Sequence, residues 1–155
     1  MAGSFSISLE KFAVKSVKQA VLAVQAITME VNSRLVLKSP VGDPSKWTEG
    51  FKAAGIALGW FDKNYIGGRF RANWGVQSGS PWGGVIDAVD KTGSATVSKN
   101  NASISRWNGR GSIYITNHLP YSLALEKGHS KQAPSGMVRI TVAEMQNGAA
   151  EAVIK

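Results

Sequence analysis

The residues of this chain that are best suited to acid–base or metal chemistry are two histidines and one nearby carboxylate. Glu126 and His129 have the Glu-x-x-His spacing that places two metal ligands on one face of a helix. Gly128 interrupts that helix, and the other histidine, His118, belongs to a separate element. The chain contains no cysteine, which excludes a thiolate nucleophile, a disulfide framework and a Cys-ligated metal site. We therefore expect neither a metal nor another cofactor.

The motifs of nucleophilic and phosphate chemistry are also absent from the sequence. The segment Gly75-Val-Gln-Ser-Gly79 differs from the Gly-x-Ser-x-Gly elbow in its spacing, and no glycine-rich phosphate loop is present. The acidic residues include no obvious pair placed for glycoside hydrolysis. We predict that the chain is not an enzyme. One enzymatic alternative stays open, because a small basic ribonuclease toxin would need only His118 or His129 together with arginines.

Composition indicates one globular domain that spans residues 1–155. Apolar residues make up 43% of the chain and charged residues 18%, which is typical of a folded protein. Lys, Gln or Ser interrupts every long apolar stretch, so we expect no membrane span. The net charge of +8 raises the chance of contact with nucleic acid, but the basic residues are scattered from Lys11 to Lys155. A basic nucleic-acid-binding protein is therefore an alternative rather than the main hypothesis.

The strongest periodic pattern predicts a long helix from Ser8 to Leu37. Its apolar positions recur in steps of three and four residues and form one stripe: Leu9, Phe12, Ala13, Val17, Ala20, Val21, Val24, Ile27, Val31 and Leu35. Ser8 is a suitable N-cap, and the Ser39-Pro40 pair ends the helix because a residue before proline avoids helical geometry. A rod of roughly 45 Å is long for this domain, so we expect part of the stripe to pack against a neighbouring subunit.

Residues 40–84 form a segment of different composition, which we expect to be an extended arm or insertion. It carries four of the five tryptophans among many glycines, and residues 48–61 predict a short helix. Two interpretations stay open. The aromatic rings either pack into the core or bind a partner, in which case the anchors are Trp47, Trp60, Phe61 and Trp82. Residues 69–77 alternate as a strand, with Phe70, Ala72, Trp74 and Val76 on one face and Arg69 and Arg71 on the other.

The second half of the chain contains shorter elements. Residues 87–107 match a helix weakly, and residues 111–117 match a strand. Pro120 starts a short helix that Gly128 terminates. Residues 136–148 fit a strand and a helix equally well, with Ser135 as a possible N-cap and Gly148 as a possible stop.

Two pairs of segments resemble a known family. The first pair is Val36-Leu-Lys-Ser-Pro-Val41 and Gly67-Gly-Arg-Phe-Arg-Ala-Asn-Trp74. The second pair is Ile113-Tyr-Ile-Thr-Asn-His-Leu-Pro-Tyr121 and Leu125-Glu-Lys-Gly-His-Ser-Lys-Gln-Ala-Pro-Ser-Gly-Met-Val138. Together with the long helix they resemble minor tail-component proteins encoded beside the head–tail joining genes of siphophages. The sequence departs from the family pattern between Val41 and Gly67, where about twenty-five residues separate parts that often adjoin.

The resemblance implies an α+β fold in which the long helix packs on a small antiparallel sheet and the C-terminal segment is helical. It implies a virion protein of the neck or upper tail, assembled in the host cytoplasm, that forms a hexameric ring and contacts connector or tail proteins. Passing DNA is a further possible contact, with Arg69, Arg71 and Arg110 as candidates. The residues that carry the structural motif are Pro40, Trp74, Pro120, Tyr121, Gly128 and Pro134.

Overall fold

The computed structural model describes the backbone of residues 2–153 and the side chains of residues 10–148. In that part of the chain the helices and strands are α1 (Ala2–Lys38), a 3-10 turn (Pro44–Lys46), α2 (Glu49–Ala57), α3 (Arg69–Ala72), β1 (Gly75–Ser78), α4 (Ser94–Ile104), β2 (Ile113–Thr116), α5 (Ser122–Glu126) and α6 (Val138–Val153).

Helix α1 ends where the sequence predicts but begins earlier. Lys38 is its last residue, and Ser39 and Pro40 follow it as expected. Its first residue is Ala2, so the prediction that Ser8 caps the helix is wrong. A helix that has already formed extends at little cost, and a serine inside it costs only a fraction of a kcal/mol.

The core joins the C-terminal part of α1 to the small sheet and to the segments around α3 and α6. Seven buried residues form it: Leu35, Val36, Phe70, Trp74, Leu119, Ala133 and Met137. Strands β1 and β2 pair antiparallel, with Gly75 opposite Thr116 and Ser78 opposite Ile113, and Ile115 packs against the core from the sheet. The α+β architecture, with a long helix packed on a small antiparallel sheet and a C-terminal helix, is confirmed.

The strand predicted over residues 69–77 is wrong in its first half. Helix α3 occupies the start of that range, and the strand begins only at Gly75. Phe70 and Trp74 are four residues apart, which places both side chains on one face of a strand or of a helix, so the pattern does not discriminate. Gly68 has a φ of +87°, and this left-handed residue turns the chain into α3. The two rings then meet edge to face, 5.9 Å apart.

Helix α4 covers only the second part of the range predicted for it. The prediction of a helix from residue 87 is wrong. Helix α4 begins at Ser94, and the carboxylate of Asp90 caps its first turn. Asp90 accepts hydrogen bonds from the backbone N–H groups of Gly93 and Thr96, both at 2.8 Å. Desolvation raises the pKa of Asp90, but these bonds outweigh it and hold the pKa below its ordinary value.

A buried network of amides joins α1 to α4. The side-chain amide of Asn100 donates to the Asn32 side-chain oxygen at 2.9 Å and to the Trp74 carbonyl at 3.0 Å. Asn32 in turn donates to the Asn101 side chain at 3.0 Å. Because Asn32 and Asn100 are almost fully buried, each bond replaces one with water. The network fixes the register of the two helices.

The C-terminal segment is helical, which settles the strand-or-helix ambiguity of residues 136–148. The predicted cap and stop are both wrong. Ser135 is not the cap, since the carboxylate of Glu126 accepts from the N–H groups of Met137 and Val138, both at 2.9 Å. Gly148 does not stop the helix, because α6 continues to Val153. A glycine on an exposed helix costs about 1 kcal/mol, which is not enough to end it.

The short helix α5 agrees with the sequence. It follows Pro120, and Gly128 comes just after its end with a φ of +86°. A side chain at Gly128 would also collide with the carbonyl oxygen of Pro134. Both features explain why glycine occupies this position.

Candidate assembly surface

The N-terminal part of α1 extends beyond the body of the domain. Every residue from Glu10 to Ala20 is exposed. Contact with the body begins at Val21, whose methyl group lies beside Gly109. Further along, the Gln25 side chain donates to the carbonyl oxygen of Trp107 at 2.8 Å. Among the side chains of α1 that the structure describes, those from Val21 onward anchor the helix to the body.

The apolar stripe that the sequence predicts is exposed over much of this helix. The exposed fractions are 69% for Phe12, 64% for Val17, 41% for Val24 and 56% for Ile27. Lys11, Lys15 and Lys18 are separated by steps of four and three residues and occupy the opposite face. Between Phe12 and Ile27 the described helix thus presents an apolar face that its own core does not cover.

The C-terminal end of the same face is covered by a helix of the chain itself. Glu144 of α6 accepts from Arg34 at 2.6 Å and from Lys38 at 2.7 Å. Arg34 also pairs with Glu30 of its own helix at 2.6 Å. Hydrogen bonds from Lys38 and Arg34 hold the pKa of Glu144 below its ordinary value. This face of α1 is therefore occupied near Arg34 and exposed between Ala13 and Ile27.

By length and composition alone, the part of α1 from Glu10 to Lys38 is also apolar enough to cross a membrane. Buried core helices and signal sequences meet the same criterion. Only 22% of this part of α1 is buried, and the buried residues lie toward its C-terminal end. The absence of a membrane contact stays a prediction.

A second apolar feature is the aromatic module, which we define as residues 43–66. Trp47 lies at its centre, with ring centroids 5.2 Å from Phe51, 4.8 Å from Phe61 and 5.4 Å from Tyr65. The Trp47 and Tyr65 rings are nearly parallel, at 17°. Four rings that pack on one another give the module a small core of its own.

The two ends of the aromatic module meet in space. A side chain at Gly67 would collide with the carbonyl oxygen of Gly42, so the backbone enters and leaves the module at one point. Within the module, Gly55 lies directly under the Phe61 ring, where only glycine leaves room. The aromatic module is therefore a closed excursion: the chain leaves the body at Gly42 and returns to it at Gly67.

We expect the domain to fold without this excursion. Deleting residues 44–66 joins two adjacent backbone positions and removes no residue of the core cluster. Cooperative thermal unfolding, followed by circular dichroism, should be retained. A deletion of equal length over residues 112–134, which removes β2 and α5, should abolish it. Loss of cooperative unfolding in the first variant would show that the module is an integral part of the core.

A cavity of about 430 Å³ lies between the module and the body. Trp47 and Phe61 line it from the module, Phe70 and Tyr121 from the body, and His129 at its edge. Burial raises the pKa of Tyr121, against the smaller opposing effect of a nearby arginine. The walls are mainly apolar and aromatic, and the side chains of Asp43, Lys46 and Lys131 also line the cavity, so its apolar part suits an apolar group.

The predicted aromatic anchors are half-buried or buried by the chain itself. Trp60 packs on Tyr121 with ring centroids 5.9 Å apart. The Trp82 ring lies against the backbone of Gly75 and Gly84. Contact of these tryptophans with a partner stays a prediction.

Arg71, a candidate for contact with DNA, is engaged within the chain. Its guanidinium donates to the carbonyl oxygens of Leu37 and Ser39, both at 2.9 Å, and of Lys91 at 2.7 Å. The first two carbonyls belong to the end of α1, where a helix lacks internal donors and favours positive charge. Arg71 thus ties the end of α1 to the loop before α4.

The other two arginine candidates differ in their environment. Arg69 donates to the carbonyl oxygen of Trp60 at 3.3 Å, and its buried Nε has no partner among the described residues. Arg110 is exposed, and its carbonyl oxygen accepts from the Trp107 indole at 2.9 Å. The arginines form no basic cluster through these contacts, and their contact with DNA stays a prediction.

Glu126 and His129, which have the spacing of two metal ligands, have separate environments in the structure. The carboxylate of Glu126 caps α6, whereas His129 is exposed beyond Gly128. Within residues 10–148, no group of three His, Asp or Glu side chains could hold a metal ion. His118 is exposed after β2. No local sequence pattern indicates the capping role of Glu126, because its partners follow a loop.

No family model matches the chain, and comparisons with curated proteins and with solved structures found no similar protein.

Proposed function

We propose that this chain is a structural, non-enzymatic subunit of a tailed-phage virion that forms a ring at the neck or upper tail. The observation that carries the proposal is the exposed apolar stripe of α1 between Phe12 and Ile27. A helix that leaves its apolar face in water is costly for a monomer, so the stripe favours a protein that works by assembly.

The virion assignment rests on the motifs that resemble minor tail-component proteins. Their residues occupy turns and ends of elements in this fold. Pro40 follows the end of α1, Gly68 turns the chain into α3, and Gly128 ends α5. The excursion that separates Val41 from Gly67 leaves the two motif halves adjacent in space. The motif therefore has one compact arrangement here, which supports the resemblance.

A ring of identical subunits needs contacts between two different surfaces that close on themselves. The projecting part of α1 supplies an uncovered surface for such contacts. The net charge of +8 then adjusts the rate and register of association with acidic neighbours more than its strength.

Assembly and joining can be tested together. We expect the purified protein to have a multiple of the 16.5 kDa subunit mass by light scattering and to form closed rings in negative stain. In the phage that encodes it, disruption of the gene should leave separate heads and tails, and added protein should restore joining. Joined particles without the protein would refute the proposal. The Lys18→Glu variant should also restore joining, since Lys18 lies on the face of α1 opposite the stripe.

A further inference from the structure

We infer that the exposed face of α1 packs against the same helix of a second copy, in parallel, around the axis of the ring. This inference rests on the proposed function, because it names the contact through which the ring forms. The observations behind it are the period of the stripe, the placement of charge around it and the helix that already covers its other end.

The exposed stripe has the spacing of a coiled-coil seam. Ala13, Val17, Ala20, Val24 and Ile27 follow one another in steps of four and three residues, and all five are exposed. A 3.5-residue period keeps one line of side chains facing a partner helix over several turns. Two of these positions hold alanine, two hold valine and one holds isoleucine, and the alanines allow two backbones to approach closely. The occupant that this pattern fits is another α-helix.

The charges around the seam permit that helix to be an identical one. On each side of it the flanking positions hold Val14, Ser16, Val21 and Ala23, none of which is charged. Like charges at such positions would oppose the pairing of identical helices. The three lysines of this region lie on the outer face instead, where parallel copies keep them apart. No positive side chain of the projecting part therefore opposes self-association at the seam.

The covered end of the same face also indicates a helical partner. Arg34 and Lys38 continue the steps of the seam beyond Val31, and there the chain's own α6 contacts α1 through Glu144. The described part of α6 thus covers this face at the C-terminal end of α1. Toward the N-terminus the face is bare from Ala13 to Ile27. A second helix continues the packing that α6 begins.

Cyclic symmetry then sets the orientation. Subunits of a ring point the same way along its axis, so equivalent residues of neighbouring α1 helices lie at the same height. A side chain at a seam position is close to its counterpart in the next copy. A side chain on the outer face is far from its counterpart.

Cysteine cross-linking tests this arrangement in the full chain, which has no native cysteine. We expect Val24→Cys to form covalent dimers with a short bismaleimide, because the single thiol of each chain can be joined to one neighbour. The matched control Lys18→Cys, on the outer face of the same helix, should remain monomeric on the denaturing gel. Equal cross-linking of the two variants, or none at residue 24, overturns the inference.

A charge substitution gives a second readout that does not depend on reactivity. Val24→Glu should reduce the mass in solution to that of the monomer while the melting profile of the monomer is retained, because Val24 is exposed within one chain. Lys18→Glu, which introduces the same residue on the outer face, should leave the assembly intact. Assembly that survives Val24→Glu overturns the inference.

The outcomes separate this inference from the proposed function. Closed rings that form without cross-linking at residue 24 refute the α1 seam but remain consistent with the proposed function as a ring subunit. Seam cross-links in a protein that does not restore head–tail joining support the seam and refute the virion role. A wild-type chain that stays monomeric and co-sediments with anionic phosphatidylserine vesicles overturns the seam, because the apolar face is then a membrane-binding surface.

Discussion

Replacing Trp74 with alanine is expected to lower the free energy of unfolding by about 3–5 kcal/mol, the largest effect of any single substitution considered for this chain. The side chain is 4% exposed and packs with Phe70 inside the core cluster. Its removal leaves a cavity that the surrounding residues fill only in part. The indole Nε1–H also donates to the hydroxyl of Ser39 at 2.8 Å, and alanine leaves that buried hydroxyl without its donor.

Chemical denaturation of wild type and variants measures this loss. Trp74→Phe keeps an aromatic ring but removes the Nε1–H donor and part of the indole, so it should cost less than Trp74→Ala, roughly 1–2 kcal/mol. Trp47→Ala serves as a control, because it removes a tryptophan from the aromatic module and not from the core cluster. If Trp74→Ala left stability unchanged, the ring would not fill the core.

Replacing Glu126 with alanine is expected to cost about 2–3 kcal/mol at neutral pH, because it removes the cap of α6. The carboxylate accepts from the backbone N–H groups of Met137, Val138 and Arg139 at 2.9–3.0 Å. Bonds to a charged acceptor are worth about 1.5–3 kcal/mol each in favourable cases, and the three share one side chain. Glu126 thereby holds the start of α6 to the end of α5.

The loss of stability caused by Glu126→Ala should depend on pH, and the lowered pKa of Glu126 determines the direction of that dependence. Desolvation raises the pKa of Glu126, but the three backbone bonds outweigh it and lower the pKa below the ordinary value of 4.5. A lowered folded-state pKa means that the carboxylate stabilises the fold above the unfolded pKa and loses that contribution as the pH falls through the folded value. The stability difference between wild type and Glu126→Ala should therefore shrink below about pH 4.5.

Urea denaturation at pH 7 and at acidic pH checks this expectation. Glu49→Ala is the control, since it removes an exposed carboxylate from α2 and should cost less than about 0.5 kcal/mol at neutral pH. A difference between wild type and Glu126→Ala that stays constant down to pH 3 would contradict the capping role of the ionised carboxylate.

The sequence alone determined the features of this protein that depend on neighbours along the chain. The stripe of α1 and its end at Ser39-Pro40 follow from side-chain spacing and proline geometry, and both are local. The strand around Ile113 and the helix end at Gly128 follow from β-branched residues and from the left-handed conformation of glycine. The overall α+β class was predicted from such local features together with the family resemblance.

Only the tertiary structure decided which of two local possibilities applies and which faces are covered. Phe70 and Trp74 fit a strand and a helical turn equally, and the turn at Gly68 selects the helix. The start of α6 depends on Glu126, whose partners lie beyond an intervening loop, so no local spacing predicts this cap. The spacing of apolar residues predicts the stripe of α1, but it does not show that α6 covers this face only at its C-terminal end among the described residues. Burial is a property of contacts between distant residues, and for this reason only the fold identifies the bare face of α1 as the candidate assembly surface.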